Sequence, residues 1–232
     1  MTIKIEVWDW PLRAFHWLLV ISVLSAVVTG ELGGNLIDWH GRFGVLIFGL
    51  LIFRIIWGFV GTAHARFANF FPTPARVKAY LQGHWQGLGH NPLGALSVIA
   101  LLGVLAILVG TGLFANDDIA FQGPLYSLVE KSLSDRLSGL HNRIFNLLAL
   151  MVALHIAAII FYARVKKDNL VGPMLTGKKV VPKDRGVPPL HLRIRHLLLA
   201  LTISGVATWG ISKGVEYFNP VQATPVAAKP VW

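Results

Sequence analysis

The chain has 232 residues, of which 54% are hydrophobic and only 14% charged, with a net charge of +10 and a mean hydropathy of +0.60. That balance excludes an ordinary soluble domain and points to the bilayer as solvent. The absence of cysteine excludes disulfides, thiolate-bound iron-sulfur clusters, haem attachment through C-x-x-C-H and Cys zinc sites, so a metal or cofactor must be held by His, Met or carboxylate.

A hydrocarbon core of about 30 Å needs about 20 mostly apolar residues per helix. Five stretches meet that length, at roughly 12–30, 40–60, 94–114, 140–164 and 190–212, predicting an all-α integral membrane bundle of helices I to V. The first exceeds a signal-peptide core and lacks a small-residue cleavage site, so it reads as retained. The I–II loop "ELGGNLID" has no Lys or Arg, and the III–IV loop carries Asp117, Asp118, Glu130 and Asp135 against Lys131 and Arg136. Base gathers in the N-terminal segment (Lys4, Arg13), the II–III loop (Arg66, Arg76, Lys78) and the IV–V loop (Arg164 through Lys178, Lys179 and Arg185 to Arg195). Membrane topology, not nucleic acid, accounts for this charge. By the positive-inside rule the N-terminus is expected on the cytoplasmic side and the C-terminus outside. The expected division is a four-helix domain over 1–186, a fifth helix over 187–214 and an exposed, flexible periplasmic tail over 215–232.

A histidine in hydrocarbon normally has a partner or a task. His16 falls near the inner start of helix I, His40 at the outer start of helix II, and His141 and His155 both on helix IV. Fourteen residues separate the last two, so they return to within about 40° of one face and stand about 21 Å apart in depth. Topology places His40 level with His141 and His16 level with His155. A low-spin haem takes two axial imidazoles on opposite faces of its ring, and two bis-His haems, one near each surface, fit this arrangement.

Arg54 follows His40 by the same interval of fourteen and is expected to face the inner haem. A bidentate bond to a haem propionate would offset its insertion cost, although it also reads as a snorkelling residue. Gly30, fourteen after His16, and Gly44, one turn after His40, are expected to leave room for the outer haem, with close helix packing as their other reading. Arg42 and Arg143 read as headgroup anchors, and Trp8, Trp10, Trp17, Trp39 and Trp57 mostly as an aromatic belt. His64, His84 and His90 lie in the II–III loop, where solvated or capping roles are the default. His196 in helix V is the reserve ligand, and helix V is expected to lie outside the haem-bearing helices.

The segments "VWDWPLRAFHW", "DWHGRFG", "FRIIWGFVG", "GHNPLGALS", "TGLFANDDIAFQGPL", "LHNRIFNLLALMVALHIAAIIFY" and "NLVGPMLTGKK" resemble the bacterial cytochrome b561 family over about residues 5–180. That family includes the cytochrome b subunits of membrane-bound nickel-iron hydrogenases and related quinone-linked reductases. The resemblance implies two haems b ligated at the positions matching His16, His40, His141 and His155, electron transfer linked to quinone, and a place in a bacterial inner membrane whose outer side is the periplasm.

The expected function is therefore transmembrane electron transfer between the quinone pool and a redox partner, either a periplasmic cytochrome c or an associated oxidoreductase subunit. Asp9, Arg13, Asp38 and Arg54 are the candidates for handling quinone protons, and the acidic III–IV loop is either a docking surface for a basic partner or a cap over the outer haem. One rival is a His-based transporter of transition metals or protons without haem, against which the helix centres offer no carboxylates. Another is a cofactor-free membrane anchor. The oligomeric state is not set by the sequence.

Overall fold

The computed structural model describes residues 1–85, 87–119, 121–182 and 190–214. The expected tail at 215–232, the boundary at 186 and Arg185 lie outside the described residues.

A short strand β1 (Thr2–Glu6) leads into α1 (Trp10–Leu32), α2 (Ile37–Val60), two short helices α3 (Phe67–Phe70) and α4 (Pro74–Leu81), then α5 (Pro92–Gly112), α6 (Lys131–Arg164), α7 (Val171–Thr176), strand β2 (Lys178–Pro182) and α8 (Ile194–Trp209). Helices I to V are thus α1, α2, α5, α6 and α8. Each is long and apolar enough to cross a membrane, counting the turns that flank α2 and α8. Their starts are set by local chemistry. Asp9 accepts from Leu12 N at the head of α1, and Asn91 from Gly94 N at the head of α5, each followed within two residues by a helix-compatible Pro. The chain turns from α1 into α2 through Gly33 and Gly34, whose positive φ values of 61° and 56° suit glycine.

Two features differ from the sequence expectation. The fourth helix begins at Lys131, nine residues before the predicted start, and at 34 residues it is about 51 Å long, so its first turns project beyond the apolar core. A two-stranded antiparallel sheet also closes the basic end, with Thr2 opposite Pro182 and Glu6 opposite Lys178, and Val7 N and Trp8 N both donating to Gly177 O.

The core has two halves. At the basic end, Val7, Trp8, Leu12, Phe15, Phe53, Trp57, Leu197 and Ala200 pack together. Toward the acidic end, Ala26, Ile47, Leu51, Leu105, Leu108, Val109 and Leu148 do so. The opposite faces of α1 and α6 expose Leu18, Ile21, Leu24, Leu147, Leu150 and Leu154, a surface suited to lipid. The α8 helix lies along α2, with Thr208 against Gly49.

Trp10, Trp17 and Trp39 are exposed, as a belt requires, but Trp8 and Trp57 are not. Trp57 is fully buried because its indole N–H donates to the Asp9 carboxylate, at 3.2 and 3.3 Å to the two oxygens. Burying the ring keeps that bond and gains apolar contact.

Candidate haem-binding site

The fold brings the four predicted histidines together as two pairs, one toward each end of the bundle, and all four are half-buried. At the acidic end the ring centres of His40 on α2 and His141 on α6 stand 6.0 Å apart with their planes at 81°. Two metal–imidazole bonds of about 2 Å each, plus the two ring radii, span about the same distance.

The same device orients both rings. His40 Nδ1 lies 2.8 Å from Ala26 O on α1, and His141 Nδ1 lies 2.9 Å from Leu108 O on α5. A carbonyl only accepts, so each Nδ1 carries the hydrogen and each Nε2 keeps its lone pair for a metal. Each ring reaches its carbonyl because the residue four positions later on that helix is glycine. A Cβ on Gly30 would stand 2.7 Å from His40 Nδ1, and one on Gly112 would stand 2.9 Å from His141 Cε1. Gly30 therefore admits the imidazole of His40 itself. The interval between a glycine and a histidine on one helix does not reveal Gly112, because it serves a histidine on another helix. Nothing lies within 4 Å of where a Gly44 Cβ would be, so open space borders α2 one turn beyond His40.

At the basic end, His16 on α1 and His155 on α6 are neighbours. His16 Nδ1 is buried without a hydrogen-bond partner. Phe15 stacks on Phe53 at 6.3 Å, which sets Arg54 on α2 at the depth of His16. The Arg54 guanidinium is 2% exposed, lies 4.4 Å above the Phe67 ring, and leaves Nη1 and Nη2 without hydrogen-bond partners. Asp9 does not pair with it by hydrogen bonds. That carboxylate, 3% exposed, accepts from Leu12 N at 2.7 Å, from Trp57 Nε1 and, by a short bond, from Thr62 Oγ1.

Two of the other histidines bond to backbone carbonyls. His64 Nδ1 bonds to Val7 O, and the reserve ligand His196 bonds through Nδ1 to Val60 O at the end of α2. His90 lies between the rings of Trp8 and Phe70. Arg42 sits over Trp39 at 4.8 Å. The III–IV loop folds back on the acidic end, where Phe121 contacts Gly41, the residue after His40.

The donor set fits haem b: one imidazole pair with free Nε2 atoms at the acidic end, and a second pair beside a buried guanidinium without a hydrogen-bonded anion at the basic end. Among the described residues, no group of three or more His, Asp or Glu gathers as a non-haem metal site would require.

Comparison with known proteins agrees with the chemistry. A family model described as prokaryotic cytochrome b561 matches residues 7–177. The "Probable Ni/Fe-hydrogenase B-type cytochrome subunit" of Azotobacter vinelandii is 26% identical, the match covering 78% of this chain and 90% of the relative. That of Rhodobacter capsulatus is 25% identical, covering 78% and 84%. The "Probable Ni/Fe-hydrogenase 1 B-type cytochrome subunit" of Escherichia coli K12 is 25% identical, covering 53% and 66%. No solved structure matches. With a helical membrane bundle, a histidine set suited to haem and a family match over most of its length, the chain belongs to the prokaryotic cytochrome b561 family, and is a multi-pass b-type cytochrome that carries electrons in the membrane.

Proposed function

We propose that the protein holds two haems b, one between His40 and His141 and one between His16 and His155, and passes electrons between a quinone and an oxidoreductase partner subunit. The rings of His40 and His141, 6.0 Å apart and each fixed through Nδ1 with Nε2 free, carry this reading. The second site follows from the unbroken course of α6, which sets His155 about 21 Å deeper than His141. Haem b supplies a one-electron Fe(III)/Fe(II) couple.

The protein's own groups set orientation and proton handling. The basic end faces the cytoplasm by the positive-inside rule, so the His40–His141 end is periplasmic. A quinone takes up protons as well as electrons, and the basic end offers them a hydroxyl cluster: Tyr80 and Tyr162 share a short hydrogen bond, and Asn91 Nδ2 donates to Tyr162 Oη at 3.0 Å. Tyr162 follows His155 by seven residues, two turns on the same face of α6. Asp9 is less suited, since its oxygens are committed to three donors. At the periplasmic end, Lys131 pairs with Asp118 at 2.6 Å and Asp135 at 2.9 Å, which takes up part of the loop's acidic charge within the cap. The names of the relatives favour a subunit docked over the cap above a basic soluble cytochrome c. The four-helix unit of residues 1–186 would hold both haems, with α8 as a buttress on α2.

The test is a reduced-minus-oxidised spectrum with pyridine haemochrome quantification, followed by rapid mixing with ubiquinol and menaquinol analogues. Two haems per chain, with the haem of the basic end reduced first, is the expected result. One haem per chain, or reduction starting at the acidic end, would overturn it.

A further inference from the structure

From the sequence His90 reads as a loop residue with a solvated or capping role, and its surroundings fit neither. Its ring lies 4.5 Å from Trp8 and 4.5 Å from Phe70, and its Nδ1 is enclosed without a hydrogen-bond partner. Phe70 borders both groups, because the Arg54 guanidinium lies 5.9 Å from the centre of the same ring and 4.4 Å from that of Phe67. The two unsatisfied groups are close enough for the Arg54 charge to act on His90. The charged groups around His90 are Arg54 on α2 and His64 in the following loop, and Asp9 acts on Arg54 from the head of α1.

A buried guanidinium with two idle nitrogens is a costly arrangement unless an acceptor arrives, since unpaired buried donors cost about 1–3 kcal/mol each and charged ones more. The nearest carboxylate, Asp9, is saturated by Leu12, Trp57 and Thr62. The shape of the missing partner follows from its donors. A guanidinium edge takes a planar carboxylate through two parallel bonds, and an imidazole N–H supplies one more.

We infer that Arg54 and His90 together form a carboxylate site for a propionate of the haem held between His16 and His155. The inference rests on the two-haem reading above and adds His90, a residue outside the transmembrane helices, to that haem's binding set. His90 acts here as a positioning residue. It holds the propionate, whose charge influences the iron, and thereby ties the II–III loop to the redox centre.

The test uses detergent-purified protein carrying His90→Phe, which keeps an aromatic ring between Trp8 and Phe70, and Arg54→Gln. Haem content is counted first, and the two midpoint potentials are then titrated from pH 6 to 8. Both substitutions should lower the potential of the basic-end haem. Arg54→Gln should change the one-electron equilibrium about tenfold, about 59 mV, and His90→Phe should act in the same direction by less. The acidic-end haem should be unchanged in both. Reconstitution with the dimethyl ester of protohaem should abolish the His90→Phe effect. Two haems with unchanged potentials in His90→Phe would overturn the inference alone, whereas fewer than two haems in the parent would overturn the reading beneath it. An effect that persists with the esterified haem assigns the anion to another source and also overturns the inference. If His90→Phe loses the basic-end haem, recovery in His90→Gln, which restores a donor, supports the anchoring role, and loss in both variants contradicts it.

Discussion

The imidazole of His40 occupies the space that a side chain on Gly30 would take: a Cβ there would stand 2.7 Å from Nδ1, the atom that bonds to Ala26 O. Gly112 does the same for His141. Imidazole orientation at the acidic end is therefore encoded by small residues on α1 and α5, the two helices that pack against this pair without supplying either of its histidines. Gly30→Ala and Gly112→Ala should each displace one ring at an overpacking cost of about 1–3 kcal/mol. The expected outcome is loss of the acidic-end haem with the basic-end haem retained, read by haem stoichiometry and low-temperature α-band spectra. Gly103→Ala, where nothing lies within 4 Å of the new Cβ, is the matched control and should keep both.

The two pairs draw on different neighbours, so the sites should empty independently. His40→Ala or His141→Ala should leave the haem at His16 and His155, and His16→Ala or His155→Ala the reverse, each giving half the parental haem per chain. Loss of both haems from any one change would contradict separate sites. His196→Ala should keep both, because its Nδ1 bond to Val60 O ties α8 to the end of α2.

Asp9 joins three parts of the basic end: the first turn of α1 through Leu12 N, the end of α2 through Trp57, and the II–III loop through Thr62. Asp9→Ala would leave a buried indole N–H and a helix N-terminus without an acceptor, at about 1–3 kcal/mol for such a group. A clear drop in thermal midpoint is expected. Asp9→Asn keeps one acceptor oxygen and should fall between the two. Equal stability of Asp9→Ala and the parent would show that the array contributes little.

The five helices were legible in the sequence because twenty-odd apolar residues admit few alternatives in a bilayer. The depth-matched histidines were legible because helical periodicity converts an interval of fourteen directly into a face and a depth. What escaped depends on chain segments far apart. The pairing of Thr2–Glu6 with Lys178–Pro182 joins strands more than 170 positions apart and leaves only short, unremarkable runs in the sequence. The early start of α6 escaped because its first turns, from Lys131 through Asp135, are helical but polar, and hydropathy records only the apolar part. Gly112 serves a histidine on another helix, so no interval along the chain marks it. Trp57 looked interfacial because an aromatic ring near a helix end usually is, and the saturated carboxylate that buries it came from a different helix.

Acid should weaken the basic end through His90. Burial, with Arg54 and then His64 adding charge repulsion, pushes His90 down to about 3 from the ordinary 6.5. The folded chain therefore keeps this ring neutral where the unfolded chain protonates it. The resulting stability is fully present above about 6.5, and is lost progressively as pH falls from there toward about 3, because the unfolded state then binds the extra proton. In haem-depleted protein the thermal midpoint should fall between pH 7 and pH 4, and His90→Phe should flatten that slope. His64, which bonds to Val7 O, faces His90 in the same cluster, so His64→Gln in both backgrounds separates the two contributions. Haem-loaded protein should show a shallower slope than the depleted form, since a propionate beside His90 would stabilise its protonated state. A slope that His90→Phe leaves unchanged would place the acid sensitivity elsewhere in the bundle.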